Sequence, residues 1–116
     1  MAEVFLDAAY AIALSNSKDQ HHEQALLLAA SLEAEKTRLI TPRAVVMEIG
    51  NALAKLRYRS AAIALLDALE KDPHVEIIPL SDELYQRALQ HYRERTDKEW
   101  GITDCLSFVV MRDRGL

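Results

Sequence analysis

The sequence holds a single cysteine, Cys105, among 116 residues. No intrachain disulfide and no cysteine-based zinc site can be built from it. Glycine is nearly as scarce: Gly50, Gly101 and Gly115 are the full set, too widely spaced for the glycine-rich turns that cradle nucleotide phosphates. No apolar run approaches the ~18 residues of a membrane-spanning helix. Val4-Phe5-Leu6 leads on to Ala8-Ala9-Tyr10-Ala11-Ile12, yet Glu3 stands where a secretion signal carries basic residues, and Asp7 interrupts the stretch. A cytoplasmic protein is therefore expected. Basic charge is also short, with fourteen Lys+Arg against eighteen Asp+Glu and a net charge of −4. That excludes a protein holding nucleic acid by charge alone. It does not exclude a nuclease, because the acids of a metal site contribute to the deficit and a bound cation offsets them.

What is present is globular. Half of the residues are hydrophobic and 28% are charged, far from the composition of disordered chains. One domain spanning residues 1–116 is expected at this length. Residues 3–6 form a short strand-forming run that ends at Asp7. Asp19 then caps a helical period through Leu26, Leu27, Ala30 and Leu32 to about Glu35. Arg38-Leu39-Ile40 is a second apolar run, and Thr41-Pro42 reads as the N-cap and first position of a helix. That helix carries Val45, Ile49, Ala52, Leu53 and Leu56 on one face and frays near Tyr58; Ser60 opens another, through Ile63, Leu66 and Leu69. Asp72-Pro73 breaks it, and Val75-Glu76-Ile77-Ile78 reads as a third strand. Ser81 caps the next helix, to about Arg95, and Thr103 caps a last one ending at Gly115. Strands alternating with helices predict an α/β fold with a small, mostly parallel sheet covered on both faces, a three-layer α/β/α sandwich. Such a fold normally lays down another strand after its final helix, and the expectation here is that this last strand is lacking.

Three acids sit where core packing does not explain them. Asp7 ends the first strand at its carboxyl end, where open α/β sheets place ligands; it can equally cap a helix starting at Ala8. Glu48, three residues after Val45 and four before Ala52, is expected on the buried face of its helix. There it either snorkels to the edge, pairs with Arg43, Arg57 or Arg59, or faces a polar cavity. Asp104 opens a nearly all-apolar helix, either stabilising its first turn or pointing along the sheet edge. Carboxylates gathered in one cleft repel unless a cation neutralises them. Mg²⁺ or Mn²⁺ suits such oxygen ligands, and the chemistry implied is metal-dependent phosphodiester hydrolysis.

Val4-Phe5-Leu6-Asp7, the segment Thr41-Pro42-Arg43-Ala44-Val45-Val46-Met47-Glu48-Ile49-Gly50-Asn51-Ala52-Leu53, and Trp100-Gly101-Ile102-Thr103-Asp104-Cys105-Leu106-Ser107-Phe108 together resemble a PIN domain, the ribonuclease fold of VapC-type toxins. The resemblance implies that Asp7, Glu48 and Asp104 are metal-binding and catalytic acids. It also implies an endoribonuclease dependent on Mg²⁺ or Mn²⁺, homodimers, and neutralisation by a small antitoxin. Two departures stand out. Ala8 occupies the place where the family has Thr or Ser, and the family's fourth acid lies on a strand beyond the last matched helix. Asp97 is the loop acid available to substitute for it.

Thr41, Arg43, Thr103 and Ser107 lie close enough in sequence to these acids to support the site or touch substrate. His21, His22, His74 and His91 lack the spacing of a metal cluster. Arg87, Arg93 and Arg95, with Tyr92, either contact RNA backbone or form a solvated face with Glu94 and Asp97. Cys105 reads as a small buried apolar residue. Tyr10, Ile12 and Leu14 suit either core or a dimer surface. The competing reading is a catalytically silent PIN-like module that only dimerises or binds a partner protein or RNA. A phosphatase built on a nucleophilic Asp is disfavoured, since the position two residues after Asp7 is Ala9.

Overall fold

The computed structural model describes residues 2–116. The elements run β1 (Glu3–Phe5), α1 (Ala8–Ser15), α2 (His22–Ala34), β2 (Arg38–Pro42), α3 (Arg43–Ala52), α4 (Leu56–Lys71), β3 (Val75–Ile78), α5 (Asp82–Glu94) and α6 (Ile102–Arg114). The strands form one parallel sheet in the order β1-β2-β3. Glu3 lies opposite Arg38 and Phe5 opposite Ile40, while Leu39 faces Val75 and Pro42 faces Ile78. Parallel neighbours require helical crossovers, so both faces of the sheet become covered. One core gathers Leu6, Ala11, Val45, Ile49, Leu53, Ala62 and Leu69 from the side of α1, α3 and α4. The other gathers Ile40, Leu84, Ala88, Cys105, Leu106, Val109 and Val110 beneath α5 and α6. This is the expected three-layer α/β/α arrangement.

Several boundaries differ from the sequence reading, each for a local reason. Thr41 and Pro42 belong to the end of β2, and Pro42 is the N-cap residue of α3 with no side-chain cap. The Thr41 hydroxyl instead donates to the Leu6 carbonyl at 3.0 Å, in a buried environment. The helix expected from Ser60 begins earlier, at Leu56. Asp19 caps a turn rather than α2: its carboxylate accepts from the His21 amide at 2.8 Å, and α2 starts at His22. Leu26, Leu27 and Leu28 on α2 are exposed, with Ala25 its buried residue. The α6 cap is Gly101 rather than Thr103. At the other end Gly115 takes a φ of 69°, the left-handed turn that a glycine C-cap allows.

An ion network fixes one end of the sheet. Arg38 on β2 bridges Glu3 of β1 at 3.8 Å and Glu76 of β3 at 2.8 Å. Arg114, the last residue of α6, reaches Glu3 at 3.3 Å and also bonds Glu76. Hydrogen bonds from Arg38 and then Arg114 hold the Glu76 carboxyl below the usual glutamate range. Glu3 opens β1, so α6 ends where that strand begins. The helix runs back along the sheet and delivers its first turn to the strands' carboxyl ends. No helix among the described residues is long and apolar enough to cross a membrane.

Candidate active site

Asp7 is positioned by the strand that precedes it. The Leu6 amide donates to the Ile40 carbonyl at 2.8 Å, and Thr41 grips the Leu6 carbonyl from the same neighbouring strand. The chain therefore leaves β1 in a fixed direction. Asp7 is exposed and caps α1, one carboxylate oxygen accepting from the Tyr10 amide at 2.8 Å. Its helix-capping role is thus present, and the carboxylate stands at the sheet's carboxyl end.

Glu48 does not lie on the buried face of α3. It is exposed, and the buried residues of the helix are Val45, Val46 and Ile49. Ala52, which set the expected face, is itself exposed. None of the three arginines weighed as partners takes it. Arg43 pairs with Glu70, with a second contact of 3.4 Å between Nη2 and Oε2. Arg59 donates to the Ala54 carbonyl at 2.6 Å, and the Arg57 guanidinium lies 4.8 Å from the centre of the Tyr58 ring. Among the described residues no cation pairs with Glu48.

Asp104 occupies the third position of α6 and reaches back to accept from the Gly101 amide at 3.0 Å. Such a bond satisfies one of the free N–H groups at a helix start. Thr103, half-buried, makes no cap. Ser107, one turn after Asp104, is buried on the same helix. The neighbouring Cys105 thiol is buried, and burial followed by the Asp104 charge pushes its pKa up. It is the inert packing residue the sequence suggests. Asp97 is engaged elsewhere, both oxygens accepting from Arg95 at 3.0 and 3.1 Å. Arg87 is held by Asp113 through two bonds of 2.6 and 2.7 Å. His22 bonds the Ala13 carbonyl at 2.7 Å, tying α2 to α1 rather than serving a metal.

α3 touches both α1 and α6, so Glu48's helix lies between the two that Asp7 and Asp104 open. Asp7 follows β1 at its carboxyl end, Asp104 lies in the first turn of α6 and Glu48 is exposed on α3, and the three carboxylates are not drawn into a coordination sphere. Among the described residues no group of three His, Cys, Asp or Glu side chains stands close enough to hold a metal ion.

The sequence matches the PIN domain family over residues 4–116. The chain belongs to the PIN domain family. No curated protein matches it. Among solved structures, that of Mycobacterium tuberculosis VapC20, described as a sarcin-ricin loop cleaving toxin, superposes with a TM-score of 0.81 at 26% identity. The match covers 97% of this chain and 83% of VapC20. PIN nucleases generally use divalent metals, and this PIN domain's donors suit such an ion in kind. Asp7, Glu48 and Asp104 are exposed hard-oxygen donors with no guanidinium partner among the described residues, the ligand chemistry Mg²⁺ and Mn²⁺ prefer. Arg43 and Asp97, by contrast, are already bound to other side chains.

Thr41 supports the site by a route the sequence does not suggest, and Trp100 escaped the sequence reading. Thr41 looks like a helix cap because Thr-Pro usually is one, whereas its hydroxyl fixes the exit from β1. Trp100 gives no signal beyond its place in a matching segment, yet it forms the centre of an aromatic cluster at the entrance to α6.

Proposed function

We propose that this PIN domain is a metal-dependent endoribonuclease, the toxin of a type II toxin–antitoxin pair, with Asp7, Glu48 and Asp104 as the residues that hold Mg²⁺ or Mn²⁺. The observation that carries the reading is the match to the family along nearly the whole chain, and three exposed carboxylates with no guanidinium partner among the described residues support it. The family relationship to a toxin that cleaves the sarcin-ricin loop supports RNA as the substrate. A cytoplasmic homodimer neutralised by a small antitoxin belongs to the same reading.

The chain's own contribution is positional. Thr41 and Ile40 fix the strand end from which Asp7 projects; Gly101 orients Asp104; α3, which packs on both α1 and α6, exposes Glu48. A divalent ion, when bound, acidifies water and neutralises the charge that builds on phosphodiester oxygens. Hydrolysis then joins a water oxygen to phosphorus, breaks one P–O ester bond and transfers a proton to the departing oxygen. Purified protein is expected to cut RNA with Mg²⁺ or Mn²⁺ present, and to lose cutting with EDTA or in Asp7→Asn. Cutting that survives both treatments refutes the proposal.

One observation favours a second reading, the catalytically silent module. Asp7 and Asp104 each hold a backbone amide, and among the described residues no three-ligand group is assembled. A silent module binds no Mn²⁺ in a manner that depends on Glu48.

A further inference from the structure

The loop between α5 and α6 and the first turns of α6 enclose an open cavity of about 410 Å³. Tyr92, Arg95, Lys98, Glu99, Trp100 and Gly101 line it. Its volume falls within the range of small-ligand sites, roughly 300–1,000 Å³. We propose that this cavity is a nucleobase subsite, in which an unpaired base of the RNA stacks on the Arg95 guanidinium laid over Trp100 and against the exposed Tyr92 ring. The proposal rests on the nuclease reading above and adds where the substrate is held.

Rigidity is the first argument. The His91 ring lies parallel to Trp100 with centres 5.9 Å apart, and Phe108 meets Trp100 edge-on at 4.8 Å. His91 also meets Phe108 edge-on at 6.0 Å. An indole braced by two other rings, one on α5 and one on α6, is ordered before any ligand arrives. That removes much of the entropy cost of binding. The neighbouring Tyr92 ring is exposed, available to a base rather than consumed by the core.

Charge is the second argument, and it favours a base over a bare phosphate. The Arg95 guanidinium sits 4.9 Å from the Trp100 ring centre and the Lys98 ammonium 5.8 Å from it. Arg95 is neutralised and its plane fixed by the two bonds to Asp97. Glu99 offsets Lys98 in the lining. A cavity with so little net charge is a poor anion trap, but planar guanidinium and aromatic faces are what bases stack on. Polar groups of Thr96 and Glu99 border the same space and can meet a base's edge.

Continuity with the acids is the third. The amide that follows Trp100 belongs to Gly101, and it donates to Asp104 at 3.0 Å. The stacking wall and the candidate ligand are parts of one turn. Substrate held in the cavity therefore lies next to the turn that carries Asp104.

Trp100 is the only tryptophan in the sequence, so emission excited beyond the tyrosine absorption band reports on this cavity alone. In EDTA, where no cutting occurs, short single-stranded RNA is expected to quench that emission saturably, and the same RNA annealed into a duplex is not. By anisotropy of fluorescein-labelled RNA, Trp100→Leu, which removes the indole beneath Arg95, weakens binding roughly tenfold, the scale of losing one stacked base. Trp100→Phe restores most of it. Lys98→Ala, a change confined to an exposed loop, weakens binding several-fold and serves if Trp100→Leu does not fold. RNA that does not bind, binds without quenching, or binds Trp100→Leu as tightly as the parent overturns the proposal. A parallel incubation of the parent protein with RNA and Mn²⁺ separates the two ideas. Quenching without cleavage rejects the nuclease reading and keeps the subsite, whereas cleavage without quenching rejects the subsite alone.

Discussion

Asp7 and Asp104 each have an observed capping role and a proposed metal-binding role, which a single substitution can divide. Each carboxylate accepts a bond from a helix-terminal amide, and asparagine accepts that bond about as well as aspartate does. Asp7→Asn and Asp104→Asn are therefore expected to unfold in urea within about 0.5–1 kcal/mol of the parent, the residual cost being the lost charge at a helix N-terminus. Asp7→Ala removes the cap as well and costs about 1 kcal/mol more. RNA cleavage disappears in all of these variants if the carboxylates hold the ion; an active Asp104→Asn removes Asp104 from the set. Thr41 makes the complementary case. Thr41→Val keeps the shape but strands the buried Leu6 carbonyl, which accepts the Thr41 hydroxyl at 3.0 Å. The expected loss is about 1–3 kcal/mol, read as a lower urea midpoint at unchanged slope, and cleavage falls as Asp7 loses its fixed exit.

At the scale of whole helices, α3 shows what was legible in the sequence and what was not. Its existence followed from the spacing of Val45, Ile49 and Leu53, all buried. Its phase did not, because Ala52 is an ambiguous marker: small enough to be tolerated on either face, it lies exposed and drew Glu48 toward the core with it. The adjacent buried Val46 sets the true stripe, leaving Glu48 on its flank. The consequence is testable. Glu48→Gln is expected to change the urea-unfolding free energy by no more than about 0.5 kcal/mol, the ordinary range for a surface change, while abolishing metal-dependent cleavage. A large destabilisation would mean that Glu48 is a structural residue. The start of α6 was misjudged for a similar reason. Thr103 has the chemistry of a cap, but Gly101 with Asp104 three residues later forms the cap instead. The strands were easier, since short β-branched runs between helices admit few alternatives, and the parallel sheet then followed from the crossovers. The aromatic cluster was hidden. His91, Trp100 and Phe108 are separated in sequence, and only the packing of α5 on α6 brings them together.

For the molecule as a whole, the network of Glu3, Arg38, Glu76 and Arg114 joins all three strands to the last helix. Glu76 is held below its ordinary value of 4.5, chiefly by its hydrogen bond from Arg38 and then by that from Arg114. A depressed carboxyl stabilises the fold at pH above the unfolded value and loses that contribution as pH falls through the folded one. Stability measured by urea unfolding should thus decline as the pH drops below about 4.5, and Glu76→Gln should decline less steeply over that interval while being less stable at neutral pH. Identical acid slopes would show that the network does not link the sheet to α6. Metal acts on the same global balance, because an ion that binds only the native chain stabilises it by mass action. The claim on which the functional account depends is that Asp7 at the cap of α1, Glu48 on α3 and Asp104 on α6 serve one divalent ion. Calorimetric titration of Mn²⁺ into the folded protein and into Asp7→Asn, Glu48→Gln and Asp104→Asn tests it most directly. The account predicts saturable binding to the parent that is lost or strongly weakened in each variant; absence of binding to the parent, or binding that all three variants retain, contradicts it.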